Sequence, residues 1–135
     1  MAINLDKLTA FHEKAVTIRT QRMEVISGNL ANANTPGYKA RDIDFNQAMK
    51  SAKAEQRGGT MVKTHENHLS GNISSRFDMQ YRIPTQPDTG DGNTVEVQAE
   101  RNNFLDNGMR YQASIEFLNG KVKGMKKAIS GGGQG

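Results

Sequence analysis

Two long segments, one at each end of the chain, carry apolar residues at the spacing of an amphipathic helix. In residues 1–35 the apolar side chains recur every three or four positions, with charged side chains mostly between them. Such a stripe predicts a helix with one buried face. The stripe contains Leu8, Phe11, Ala15, Ile18, Val25 and Leu30. Arg22 interrupts it, so either its stem lies along the apolar face or its guanidinium pairs with an acid on a partner.

The C-terminal segment, residues 94–130, has the more regular pattern. Its apolar residues alternate by three and four positions through about four heptads, with Gly108 at the one vacant position. They are Phe104, Tyr111, Ile115, Leu118, Val122, Met125 and Ile129. A repeat of this kind predicts the seam of a coiled coil. Gly108, Gly120 and Gly124 each weaken such a helix by roughly 1 kcal/mol relative to Ala.

The middle region, residues 36–93, is polar and has no long repeat. Ile43 and Phe45 alternate with aspartates, which favours a short extended piece, and we expect a weak helix to follow from Phe45. Residues 77–83 alternate between apolar and polar side chains, as a short strand does. Residues 131–135 are rich in Gly, which predicts a flexible tail.

The predicted fold is therefore mainly α. It is an antiparallel pair of long N- and C-terminal helices of the coiled-coil type, with a polar, partly extended or β middle excursion. Because this polar middle offers no third layer, we expect other subunits to complete the apolar rows. The alternative is a self-contained helical pair whose rows form an internal core.

A turn is predicted where the first helix must end, within residues 27–39. Pro36 fixes its own φ and disfavours helical conformation at Thr35. Gly37 suits the turn position that needs positive φ. Three asparagines nearby can hydrogen bond to local backbone groups, which favours turns over continued helix. They are Asn29, Asn32 and Asn34.

Composition excludes several kinds of chemistry. The 135 residues include no cysteine, so disulfides, thiol catalysis and thiolate metal sites are excluded. His65 and His68 form a close pair, but further ligands at metal-site spacing are missing. No stretch has the form of a phosphate-binding loop or a nucleophile elbow. We therefore expect no catalytic, cofactor-binding or metal-binding residues, and no enzyme activity.

Charge and hydropathy leave one alternative function open. The net charge is +4, and acids and bases are mixed along most of the chain. Four lysines between Lys121 and Lys127 form a run without acids, which is typical of a solvated helix end. They also allow a basic helical adapter that binds nucleic acid or a membrane surface. We expect neither a cleaved secretion signal nor a membrane-spanning segment.

The turn region carries a specific resemblance. Residues 27–39 read Ser-Gly-Asn-Leu-Ala-Asn-Ala-Asn-Thr-Pro-Gly-Tyr-Lys, which resembles the N-terminal signature of the bacterial flagellar rod, hook and hook-associated family. A second block, residues 91–97, resembles the proximal-rod members of that family, as do Asn107 and residues 110–113. The resemblance covers both terminal segments and part of the middle. Its signature residues in the turn are Asn29, Asn32, Asn34, Thr35, Pro36, Gly37 and Tyr38.

The resemblance implies a structural role in cell motility. Members of this family pack their terminal helices into coiled-coil layers of a tube that crosses the periplasm, transmits torque and passes export substrates. They leave the cell through the flagellar type III export apparatus, without a cleaved signal peptide. The implied partners are other copies of the chain, other rod proteins, the adapter protein that joins the rod to the membrane ring, and the export gate. No nucleic acid, small-molecule substrate or cofactor is implied. Another axial component of the flagellum is the nearest alternative.

Overall fold

The computed structural model describes residues 5–57 and 79–131. Five elements follow one another in these ranges: helix α1 (Leu5–Ala31), strand β1 (Arg41–Ile43), helix α2 (Phe45–Arg57), strand β2 (Met79–Tyr81) and helix α3 (Val97–Gly131). The pair His65 and His68 lies outside the described residues, as does the tail after Gly131. Among the described residues, no helix is both long enough and apolar enough to cross a membrane.

The two terminal helices are antiparallel, as the sequence predicts. Asn29, near the end of α1, hydrogen bonds to Glu100, near the start of α3. Further along, Asn107 donates to the backbone carbonyl of Arg19, and the ring of His12 stacks on that of Phe117 at 6.0 Å. Residue numbers thus rise along α3 as they fall along α1, and these contacts span residues 12–29 of α1 and 100–117 of α3.

The middle region contributes a layer to the fold, contrary to the expectation from its polarity. Ile18 of α1, Ile43 of β1 and Ala48 of α2 form a buried cluster. Val25, Phe45 and Met49 pack against it as partly buried side chains. The short helix is amphipathic, and its small alanines allow a close approach to α1. The apolar row of α1 is therefore partly covered within the same chain.

The two strands form a short antiparallel ladder in the middle of the chain. Residues 41–43 pair with residues 79–81, and Ile43 lies opposite Met79. One further backbone hydrogen bond, from Arg82 N to Ala40 O at 2.9 Å, continues the ladder past its end. This ladder holds Asp42 and Arg82 beside the junction of α1 and α3, where the candidate site lies.

Candidate functional site

Helix α1 ends where its own side chains bond to the last turn. Asn32 donates from Nδ2 to Gly28 O at 2.8 Å, and its backbone N–H is also directed at Gly28 O. Its Oδ1 accepts a hydrogen bond from Thr35 Oγ1 at 3.2 Å. The side chain of Asn32 thus folds back on the last turn, and such local side-chain bonds compete with further helix, which ends at Ala31.

The turn is fixed by a loop from the other end of the middle region. Gly37 has φ of 74°, as the sequence predicts, and its N–H donates to Asp91 O at 2.8 Å. One residue of this loop, Thr94, bonds twice to the chain after Gly37: Thr94 N donates to Tyr38 O, and Thr94 Oγ1 accepts from Ala40 N. The two sequence blocks that resemble the flagellar family therefore lie in contact.

Glycine is required where the two blocks touch. The constraint is the backbone, since Gly92 has φ of 73°, whereas a Cβ atom there would lie at an ordinary contact distance, 3.6 Å, from the Cα of Gly37. Positive φ is unfavourable for residues with a side chain, so both glycines serve the backbone rather than a ligand.

Asn93 closes the end of α1 from a distance of about sixty positions along the chain. Its Nδ2 lies within hydrogen-bond distance of three carbonyl oxygens, those of Asn32 at 3.0 Å, Ala33 at 2.9 Å and Thr35 at 2.9 Å. Asn93 does not cap the last helix, because α3 begins only at Val97. Asn93 instead accepts from Val95 N and caps the other terminal helix.

Asn29 is the most fully bonded residue of the signature. Its side chain is completely buried, and Nδ2 donates to Arg41 O at 2.7 Å and to Glu100 Oε2 at 3.2 Å. Its Oδ1 accepts from Arg41 N at 3.1 Å and from the hydroxyl of Tyr38 at 3.3 Å. One amide thus joins α1, the turn, β1 and α3. By contrast, Asn34 is exposed.

A cluster of charges lies beside Asn29. Asp42 accepts two hydrogen bonds from Arg22, at 2.9 and 3.0 Å, and one from Arg82 at 2.7 Å. Arg82 also forms an ion pair with Glu100, which is completely buried. The acid that pairs with Arg22 is therefore Asp42 of the same chain. The expected pairing of Arg22 with an acid on a partner subunit is not needed.

The two carboxyls of this cluster respond to it in opposite ways. Burial alone would raise the pKa of Asp42, but the hydrogen bonds and charge of Arg22, with those from Arg82 and Ile43 N, outweigh it and lower the pKa. For Glu100, burial raises the pKa, and the bonds from Asn29 and Arg82 do not fully offset it. Binding a proton is thus easier for Glu100 than for Asp42.

Comparison with known proteins is decisive for the family. A model of the flagella basal body rod protein family matches residues 11–39. Flagellar basal body rod protein FlgB of Aeromonas hydrophila is 50% identical over 131 residues, which cover 97% of this chain and 98% of that protein. FlgB of Escherichia coli K12 is 42% identical over 137 residues, 95% and 99% of the two chains. FlgB of Salmonella typhimurium is 39% identical over 138 residues, 98% and 99% of the two chains.

The chain belongs to the flagellar basal body rod protein family. It is a structural subunit of the rod in the flagellar basal body. The family model covers most of α1 and the whole signature turn. The loop that this rod protein docks against the turn lies outside that match, at residues 91–94.

The N-terminal apolar row of the rod protein is divided between its own core and its surface. Ala15 and Ile18 are buried, and Val25 packs against the core cluster. Leu30 is half-buried, whereas Phe11 is exposed. The side chain of Leu8 lies outside the described residues. Ile18 and Val25 pack against the rod protein's own α2 and β1, and an assembly role for the row stays a prediction.

The C-terminal row becomes more exposed along α3. Four of its members, in the part of α3 that pairs with α1, are half-buried: Phe104, Tyr111, Ile115 and Leu118. Met125 is also half-buried, but Val122 and Ile129 are exposed, Ile129 to 84%. The only fully buried side chains of this helix are polar, Glu100 and Asn107. The seam residues of the rod protein are thus partly free on the single chain.

Sequence reasoning missed the buried polar residues of the junction. Asp42, Arg82 and Glu100 form its charge cluster, and Asn107 bonds to the backbone of Arg19. A signal existed for two of them: Glu100 and Asn107 are seven positions apart, directly before two non-apolar positions of the row, Arg101 and Gly108. Within the described parts of the rod protein, no group of three or more His, Cys, Asp or Glu side chains could hold a metal ion.

Proposed function

We propose that this rod subunit assembles by packing the free faces of α1 and α3 against neighbouring subunits, in the coiled-coil manner, to build a tube in the proximal rod. The main support is the apolar surface that α3 leaves exposed. Phe117, Val122 and Ile129 are exposed on the second half of the helix, and Leu105 and Met109 on the first half. Val122 and Ile129 are seven positions apart and therefore share one face of α3, so the exposed part of the row offers an apolar stripe on which a neighbouring helix can pack.

The position of these residues along the helix pair supports the same proposal. His12 contacts Phe117. From this contact α3 continues to Gly131, whereas the antiparallel α1 continues alongside it only as far back as Leu5 in the described residues. The last turns of α3 therefore extend beyond the part of α1 that is described. Their apolar residues need a partner from outside this part of the chain if they are to be buried.

The finer surroundings of the subunit are part of the proposal and rest on family membership and on the second sequence block. The neighbours are other copies of the chain, other rod proteins, the adapter protein at the membrane ring and the export gate. The subunit lies in the periplasm, leaves the cell by the flagellar export route without a cleaved signal, and serves torque transmission and protein export. It has no catalytic activity, and neither cofactor, nucleic acid nor small-molecule substrate takes part.

A pair of charge substitutions on α3 tests this proposal. Val122→Glu places a charge in the exposed apolar row, so we expect normal export, a normally folded monomer and loss of rod assembly and swimming. Lys127→Glu introduces the same side chain on another face of the helix, so we expect assembly to be retained. Basal-body counts by electron microscopy and swimming-zone diameters measure both outcomes.

The same two variants distinguish rod assembly from the alternative function, a basic helical adapter. Normal swimming with Val122→Glu would contradict assembly through the α3 row. Loss of function with Lys127→Glu alone, together with salt-sensitive binding of nucleic acid or anionic vesicles by the wild type, would favour the basic adapter.

A further inference from the structure

A polar cleft lies between α1, the strand pair and α3. Its volume is about 490 Å³, and four arginines line it: Arg19, Arg22, Arg82 and Arg110. Three aspartates line the same space: Asp42, Asp44 and Asp106. We call this space the arginine cleft. It differs from the apolar row of α3, because its walls carry charges that are partly matched within the chain.

Three of the four arginines have acidic partners in the cleft. Arg22 and Arg82 both bond to Asp42. Arg110 bonds to Asp106 through its Nε at 2.9 Å. The remaining aspartate, Asp44, accepts from Gln47 N and caps α2. The acids lining the cleft are thereby committed to other groups.

Arg19 forms no ion pair or hydrogen bond with an acid among the described residues; Asp106 attracts its charge but is bonded to Arg110. Its residue exposure is only 8%, and its Nε makes no hydrogen bond within the described parts of the chain. The guanidinium instead lies over the ring of Phe45, 4.0 Å from the ring centroid. Burial lowers the pKa of Arg19, and repulsion from Arg110 and Arg22 lowers it further. A buried guanidinium without a carboxylate is unfavourable, because its lost hydration is not replaced.

The backbone of Arg19 is held in place at the same time. Asn107, completely buried on α3, donates from Nδ2 to Arg19 O at 2.8 Å. With the backbone fixed by α3 and the guanidinium stacked on Phe45, the donor atoms have little freedom. A partner that binds there does not have to order this side chain first.

We propose that a side-chain carboxylate of a neighbouring rod subunit enters the arginine cleft and binds the guanidinium of Arg19. This inference rests on the proposed function, since it requires neighbouring subunits. A single carboxylate matches the single unpaired cation, and the planar guanidinium fits a carboxylate through two parallel hydrogen bonds. A phosphate-rich polymer is a poorer occupant, because three aspartates line the same walls.

The decisive variant is Arg19→Gln, with Arg101→Gln as its control. Arg101 is exposed on α3 and does not line the cleft. We expect Arg19→Gln to keep or raise the thermal midpoint of the monomer, because an unpaired buried cation is removed, while assembly falls about tenfold. Arg101→Gln should leave both measurements at the wild-type value. Arg19→Lys, which keeps the charge but lacks the planar fork, should fall between wild type and Arg19→Gln in assembly.

Two results would overturn the inference. One is wild-type assembly by Arg19→Gln while Val122→Glu still fails, which leaves the proposed function standing. The other is a lowered thermal midpoint together with the assembly defect, since Arg19 then holds the monomer itself. Wild-type assembly by Val122→Glu would instead contradict the proposed function.

Cross-linking identifies the occupant of the cleft. A photo-reactive residue in place of Asn46, which is exposed and lines the cleft, should form a product with a neighbouring rod subunit in intact basal bodies. The same substitution at Lys53, exposed on α2 but outside the cleft lining, serves as control. Products with nucleic acid or lipid, or none above the control, would contradict a protein carboxylate as the occupant.

Discussion

Asp42 and Glu100 share the guanidinium of Arg82, yet their charges affect folding in opposite directions. Asp42 is held by two arginines and by Ile43 N, so its charged form is favoured in the folded state and its pKa is lowered. Glu100 is completely buried, which outweighs its bonds and raises its pKa. Ionised Asp42 therefore contributes to stability at neutral pH, whereas ionising Glu100 reduces it.

Neutral substitutions of these two residues should reveal opposite pH dependences. The folded pKa of Glu100 lies above its unfolded value of about 4.3, so the wild type should gain stability relative to Glu100→Gln as pH falls through that folded pKa. The folded pKa of Asp42 lies below its unfolded value of about 3.9, so the wild type should lose its advantage over Asp42→Asn as pH falls through that lower pKa.

Urea-unfolding midpoints of the wild type and both variants, measured from neutral pH down to about pH 2.5, check these signs. The pH profile of a surface variant, Asn34→Ala, serves as the baseline. Parallel profiles for the wild type and Glu100→Gln would show that burial does not raise the pKa of Glu100.

At the scale of elements, the signature turn depends on a loop that lies far along the chain. Gly37 bonds to Asp91, Tyr38 bonds to Thr94, and Asn93 closes the end of α1. The loop in turn leads directly into α3 at Val97. The turn therefore sets where the last helix begins relative to the first, and it acts as a joint between the two.

Asn93→Ala should loosen this joint. It removes the amide donor near the carbonyl oxygens of residues 32, 33 and 35, of which residues 32 and 35 keep backbone donors, so we expect a loss of about 1 kcal/mol in the free energy of unfolding. Amide exchange at Gly37 and Thr94 should also become faster, because both N–H groups bond across the same joint.

The matched control is Asn34→Ala, which removes an exposed asparagine from the same turn and should change stability by less than about 0.5 kcal/mol. Equal losses for the two variants would mean that the amide of Asn93 does not hold the joint.

Sequence patterns predicted these elements better than the contacts between them. The periodicity of both terminal helices, the short strands and the positive φ of Gly37 are local properties, and the sequence indicates them directly. Asn93 bonds across the fold, and no local pattern reports such a partner. In a straight helix, positions seven residues apart are rotated by about 20° relative to each other. Counted back over three heptads from the C-terminal part of the row, the side of α3 that faces α1 is therefore displaced from Arg101 and Gly108 toward Glu100 and Asn107.

The middle helix α2 was underestimated for a different reason. Its sequence is polar overall, but Ala48, Ala52 and Met49 lie on one face. The average polarity of the segment does not show that it has a narrow apolar stripe, which is sufficient for packing against α1.

At the scale of the whole molecule, packing is uneven along the helix pair. Near the junction, α1 is covered by α3, β1 and α2, and the buried residues Ile18, Ile26 and Asn29 lie there. Toward the other end, the described part of α3 after Phe117 is mostly exposed. Few buried contacts and an exposed backbone are the properties of segments that open readily.

Hydrogen exchange on the dilute monomer should follow this gradient. We expect strong protection in residues 15–29 and 100–115 and weak protection in residues 121–131, because only the former lie in the packed part of the pair. Purified basal bodies should show protection in residues 121–131 as well, since neighbouring subunits then cover the exposed row. Equally strong protection over the whole of α3 in the monomer would contradict ordering that depends on assembly.

The polar contacts of Asn29 and Asn107 between α1 and α3 have a mechanical consequence. Apolar side chains allow one helix to slide along another with a small change in energy, because similar contacts form again one turn later. The bonds from Asn29 to Glu100 and from Asn107 to Arg19 O do not form again, since a slide by one turn of about 5.4 Å separates both pairs. Such a slide would also leave a buried carboxylate without its amide donor. The helix pair therefore resists shear along its axis, and a push on one terminal helix is passed to the other without slip.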